Sequence, residues 1–206
     1  MMTVTAIEAI NSKKVKVTFD EQFTLVLYKG ELKLFGIKEG AVLPEDTLQR
    51  IEKEVLEKRA VKYAMNLLLK RDYTEKELRD KLAKAGYREE TTKKAIDYVA
   101  SYHYVDDASY ARRYLETYSD RKSRRMMQME LKKKGVADDV IEQALSEAEL
   151  EREQDTLHAY AVKKAKGLDL ASDKDKQRFL RYLLGKGFSY QDAKEELSGL
   201  LKEDED

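Results

Sequence analysis

The sequence predicts a mostly α-helical protein in which three tandem three-helix repeats form an elongated body, preceded by a small N-terminal β-hairpin module. Three observations carry that prediction. A pattern of the form apolar-x₃-Leu-x₃-Gly-apolar occurs as Leu78, Leu82, Gly86, Tyr87, as Met127, Leu131, Gly135, Val136, and as Phe179, Leu183, Gly187, Phe188. Each copy has a Tyr-Ala pair upstream (Tyr63-Ala64, Tyr110-Ala111, Tyr160-Ala161) and an aliphatic ten residues past the glycine (Ile96, Leu145, Leu197). Only residues 3–35 show the period-two alternation of a half-buried strand. A period of about fifty residues marks one supersecondary unit used three times, and stacked repeats offer an extended surface rather than a closed pocket.

In residues 1–43, Val15, Val17 and Phe19 alternate with Lys14, Lys16 and Thr18, and a turn at Asp20-Glu21 returns the chain through Phe23 to Tyr28 as the second arm of a hairpin. Thr3 to Glu8 can supply a third strand. Pro44, the only proline, stands where a helix can begin, with Glu45 and Asp46 suited to the positive end of its dipole. Leu48, Ile51, Val55 and Leu56 then recur at helical spacing, so a linking helix over 44–59 leads into repeats at 60–104, 105–150 and 151–202, with an acidic tail at 203–206. In each repeat the first helix holds the Tyr-Ala pair, the second ends at the glycine, and the third ends near the later aliphatic. Thr74-Glu-Lys-Glu77 has the form of a capping box. Asp138 and Ser189 are expected to cap third helices. Gly86, Gly135 and Gly187 are expected to be left-handed stop residues, each followed by an apolar residue that folds back.

Composition narrows the function. The 206 residues hold 40 basic and 40 acidic side chains, so overall charge implies neither a nucleic-acid nor a membrane partner. The absence of cysteine excludes disulfide and thiolate chemistry and suits a reducing compartment. No stretch approaches eighteen apolar residues and no signal-peptide pattern opens the chain, which points to a cytoplasmic protein without a membrane partner. His103 and His158 lie in different repeats without a ligand-spaced companion, and no nucleotide-binding or hydrolase motif occurs. No catalytic residue, metal or cofactor is read from this chain.

The signal that stands out is electrostatic. Between Ala108 and Lys134 lie Arg112, Arg113, Arg121, Lys122, Arg124, Arg125, Lys132, Lys133 and Lys134 against Glu116, Asp120 and Glu130, a local charge of +6 in a neutral chain. Such a patch can meet an acidic protein groove or a phosphate backbone, or it can be a solvated face neutralised by acids elsewhere. Tyr110, Tyr114 and Tyr118 follow at helical spacing; stacking on bases is one use, and packing is the other, favoured because Tyr110 belongs to the pair found in all repeats.

Taken in order, Arg71-Asp-Tyr-Thr-Glu-Lys-Glu-Leu78-x₃-Leu82-x₃-Gly86-Tyr87, Tyr104-Val-Asp-Asp107-x₂-Tyr110-Ala111-Arg112 and Arg125-x₅-Leu131-x₂-Lys134-Gly135-Val136 resemble the RecX regulatory proteins of bacteria, as does Leu34-Phe-Gly-Ile-Lys-Glu-Gly40 after the hairpin. The resemblance runs over most of the chain and is looser in the third repeat. It implies a cytosolic, non-enzymatic, monomeric modulator that binds the RecA recombinase filament on DNA and suppresses its ATPase, strand-exchange and coprotease activities, with direct DNA contact in some members. The basic residues of the second repeat are assigned to partner binding from their charge, not from the resemblance. A helical-repeat protein acting directly on DNA or RNA is the alternative.

Overall fold

The computed structural model describes residues 1–20, 23–148 and 153–203. The chain divides into two compact units, Met1–Asp106 and Asp107–Asp206.

The first unit opens with an antiparallel sheet of β1 (Met2–Ala9), β2 (Lys14–Phe19), β3 (Phe23–Tyr28) and β4 (Val42–Leu43), ordered β3-β2-β1-β4. The expected hairpin is β2–β3, in register from Lys14↔Tyr28 to Phe19↔Phe23, and the expected third strand pairs on its other side. The fourth strand adds to the expectation: two residues pairing with Met2 and Thr3 are too few to leave a periodic signature. At the turn, Asp20 adopts φ 44° and its carboxylate accepts the Thr3 N–H at 2.8 Å; Glu21 lies outside the described residues. Val4, Val15, Val17, Phe19, Leu25 and Leu27 form a buried face with Ile37, Leu43, Ile51 and Leu56. A short helix, α1 (Lys29–Leu34), follows β3.

Pro44 lies just before α2 (Glu45–Arg50) with an extended backbone, and Glu45 and Asp46 occupy the first turn. Helical backbone then continues through a π-helical segment, Ile51–Leu56, into α3 (Glu57–Leu68). The cause lies in the burial pattern. Ile51 and Leu56 are both buried, yet five residues along an α-helix would turn them about 140° apart. The wider i→i+5 turn brings them to one side.

Helices α3, α4 (Glu75–Lys84) and α5 (Glu89–Ser101) enclose Ala60, Ala64, Leu78, Leu82, Ala95, Ile96 and Val99. The Thr74 hydroxyl accepts the Glu77 N–H at 3.2 Å and the Glu77 carboxylate accepts the Thr74 N–H at 3.4 Å, the reciprocal box that the sequence predicts. Ile96 lies mid-helix, because α5 runs five residues beyond it.

In the second unit, α6 (Asp107–Tyr118), α7 (Arg124–Lys134) and α8 (Asp138–Glu147) surround Ala111, Leu115, Met127, Leu131, Ile141 and Leu145. Then α9 (Glu153–Ala165), α10 (Asp173–Gly185) and α11 (Tyr190–Glu203) surround Leu157, Ala161, Phe179, Leu183, Phe188 and Leu197. The alanines of all three Tyr-Ala pairs are fully buried, where a larger side chain would hold neighbouring helices apart. Gly86, Gly135 and Gly187 have φ of 90°, 89° and 90°. After each, the apolar residue's N–H returns to the carbonyl of the buried Leu: Tyr87 to Leu82 at 3.2 Å, Val136 to Leu131 at 3.1 Å, Phe188 to Leu183 at 3.3 Å. These are Schellman stops. Ser189 accepts the Asp192 N–H at 3.1 Å as expected of a cap. Asp138 does not cap α8: the N-cap is Ala137, which has no side-chain cap bond, and Asp138 is the first helical residue. Its charge still suits the helix N-terminus, and it binds Lys132 at 2.9 Å. Residues 204–206 of the acidic tail and the 149–152 junction lie outside the described residues.

Candidate contact surface of the second repeat

The basic residues occupy α6, the connecting loop 119–123 and α7, and the buried stripe of α7 sorts them. With Met127 and Leu131 inward, the helical period turns Arg125, Lys132 and Lys133 outward, around a Met129 that is 59% exposed. Arg124 and Lys134 instead adjoin the stripe. The Arg124 guanidinium donates to the Leu145 carbonyl at 3.3 Å, and the Lys134 ammonium lies 5.5 Å from the Tyr110 ring centre. Lys122 is the most engaged: it donates to Glu130 at 2.5 Å and to the Tyr114 hydroxyl at 2.9 Å, and lies 4.2 Å from the Tyr118 ring centre.

Other charges meet acids of their own repeat. Lys132 pairs with Asp138, Arg112 reaches Glu147 at 4.0 Å, and Arg121 lies 3.5 Å from Asp120. These pairs are exposed, so solvent and salt hold each to about 1 kcal/mol or less, and a stronger anion can displace them. Arg113 is exposed on α6. Arg125 and Lys133 are exposed and have no ion pair or side-chain hydrogen bond among the described residues. The nine residues therefore do not form one uniform patch. Arg125, Lys132 and Lys133 on the outward face of α7 and Arg121 on the loop before it are exposed, while Lys122, Arg124 and Lys134 are bound into the repeat.

The tyrosines serve packing. Tyr110 and Tyr114 stack at 6.3 Å, Tyr114 and Tyr118 meet at 4.6 Å, and Tyr114 is buried with its hydroxyl on Glu130. The histidines have local roles too. His158 lies 2.6 Å from Glu196, and His103 stands at φ 57° where α5 ends, the place a stop glycine takes elsewhere. Among the described residues no cluster of His, Cys, Asp and Glu could hold a metal ion, and no helix is long and apolar enough to cross a membrane.

One part of this region escaped the sequence reading. Ser123, fully buried, caps α7 by accepting the Met126 N–H at 3.2 Å and donates to the Lys186 carbonyl of the third repeat at 2.8 Å. A serine directly before the helical run Arg124–Lys134 was the available signal for the cap; nothing local signals the second bond.

Comparison with known proteins bears on the whole chain. Residues 60–98 match the family described as RecX, first three-helix domain, and residues 106–145 match RecX, second three-helix domain. Regulatory protein RecX of Clostridium perfringens (strain 13 / Type A) is 34% identical over 195 residues, covering 92% of each chain. The chain belongs to the RecX family. Regulatory protein RecX of Clostridium acetobutylicum is 29% identical over 208 residues, covering 98% of this chain and 97% of its own. A solved structure of regulatory protein RecX superposes with a TM-score of 0.64 at 20% identity, covering 94% of this chain and 98% of that one, which speaks for the fold. RecX from Lactobacillus salivarius gives 0.62 at 25% identity over 70% of this chain and 96% of its own. A RecX regulatory role is thus supported over the chain's length, while the two domain families reach only as far as residue 145.

Proposed function

We propose that this protein binds the RecA filament on DNA and lowers RecA's ATP hydrolysis, strand exchange and coprotease activity, acting as a cytoplasmic monomer and not as an enzyme. The observation that carries the reading is RecX membership across nine-tenths of the chain. The second repeat supplies a physical means: Arg125 and Lys133 present charges that have no partner among the described residues, and Arg121 and Lys132 hold theirs in weak surface pairs. A polar, acidic target gains these charges at small cost. The reading treats 60–104, 105–150 and 151–202 as the modules that present this surface. The deciding experiment is RecA-dependent ATP hydrolysis on single-stranded DNA with this protein titrated in. Inhibition at sub-stoichiometric to equimolar amounts is the expected result. In the double reversal Arg125→Glu/Lys133→Glu, inhibition should weaken while the melting temperature stays within the small range expected of surface changes. Full inhibition by that variant moves the contact to other residues.

The exposed cations of α7 also favour a second reading, direct binding to nucleic acid. It is separated by salt: a phosphate binder loses affinity for bare DNA steeply as salt rises, with no RecA present.

A further inference from the structure

The loop 119–123 carries Arg121 and Lys122 and leads directly into Arg124 and Arg125. Its shape depends on where its backbone groups find partners, since the last carbonyls of α6 have none inside that helix. Some bonds are local: the Arg121 and Lys122 N–H groups both donate to the Tyr118 carbonyl at 2.9 Å. Others come from the third repeat. The Thr156 hydroxyl donates to the Ser119 carbonyl at 3.1 Å, the Tyr160 hydroxyl to the Arg121 carbonyl at 2.7 Å, and the Lys186 carbonyl accepts from Ser123. The loop is thus held at its start, middle and end by residues of α9 and the end of α10. Thr156 is only 3% exposed.

We propose that Thr156 and Tyr160 are positioning residues, which hold the basic loop of the second repeat in the shape that meets its partner. This rests on the reading that the loop and the outward face of α7 are the contact surface. A loop free to move must be ordered at the moment of binding, and that cost is subtracted from affinity; two hydroxyls from the neighbouring repeat meet it in advance. The third repeat then takes part in binding without presenting the contact residues itself.

The test uses the full chain with Thr156→Val and Tyr160→Phe combined, which keeps both side-chain shapes and removes both hydroxyls. Tyr160→Phe alone serves if the pair does not fold. Amide hydrogen exchange across 119–123 and inhibition of RecA ATP hydrolysis are both read at a temperature where circular dichroism shows full helix content. Exchange in 119–123 should quicken, with the rest of the second repeat unchanged, and the protein needed for half-inhibition should rise about threefold to tenfold. Thr156→Ser, which restores a hydroxyl, should keep the original potency. Unchanged exchange, or full potency despite faster exchange, overturns the proposal. The Arg125→Glu/Lys133→Glu variant separates the two levels. If it inhibits fully, the surface assignment fails and the positioning role falls with it. If it loses inhibition while the hydroxyl variant does not, the positioning role alone fails.

Discussion

Gly187→Ala should be among the most damaging single-atom additions to this protein, and its cost can be built from parts. The residue stands at φ 90°, where a Cβ is disfavoured by about 1 kcal/mol. The new methyl would also overlap the Ser123 hydroxyl oxygen and lie 3.3 Å from the Met126 nitrogen and 3.5 Å from the Met126 Cβ. Ser123 cannot simply turn aside. It is fully buried, and its hydroxyl holds the N-terminus of α7 and the carbonyl of Lys186 together. Displacing it forfeits two hydrogen bonds of about 1 kcal/mol each, one of them a helix cap. The sum is about 3 kcal/mol. Urea unfolding of Gly187→Ala, Ser123→Gly and the double variant measures it as a cycle. In the Ser123→Gly background the alanine should cost only the backbone part, about 1 kcal/mol, giving a coupling of about 2 kcal/mol. An equal cost in both backgrounds would refute the close approach as its cause.

Gly135→Ala should destabilise by about 1 kcal/mol from its left-handed backbone, and a more stable variant in thermal unfolding would remove that account of the stop. Tyr87 supplies a pH dependence. Burial pushes its phenol up to about 12, so the folded state favours the protonated form. The stability this gives is complete below pH 10, the ordinary tyrosine value, and is lost as pH rises toward 12. Since the ring keeps some solvent contact, about 1 to 2 kcal/mol is at stake. In Tyr87→Phe this part of the alkaline loss should disappear; equal slopes for the two proteins between pH 10 and 12 would count against it.

The helical repeats were legible because their signals are local. A buried Leu four residues before a glycine, an apolar residue after it, and Thr74 three before Glu77 each describe one turn of chain, and the structure uses each one as the spacing implies. Asp138 shows how narrow that legibility is. Its type suits either a cap or a first turn, and the choice of Ala137 follows from where the chain leaves Val136, which packs into the core. The fourth strand was illegible because two residues carry no period. The contact surface was half legible. Counting charge found the nine basic residues, but Glu147 pairs with an arginine 35 positions away and the Leu145 carbonyl takes Arg124 through packing of α8 on α7, relations that no spacing rule encodes. The bonds between the third repeat and loop 119–123 are more distant still, and all three end on backbone carbonyls, which are the same at every residue.

The π-helical segment between Arg50 and Glu57 bears on how this family can vary in length. Such a turn is what an α-helix becomes when it accepts one surplus residue without rotating what lies beyond it. Removing an exposed residue such as Lys53 would bring Ile51 and Leu56 to the four-residue spacing of a plain α-helix, with Ala60 and Ala64 still aimed at their own core. A chain one residue shorter here could therefore keep the sheet and the first repeat joined as they are. At this place a gap in an alignment of relatives would record a change of helical pitch, not the loss of a loop.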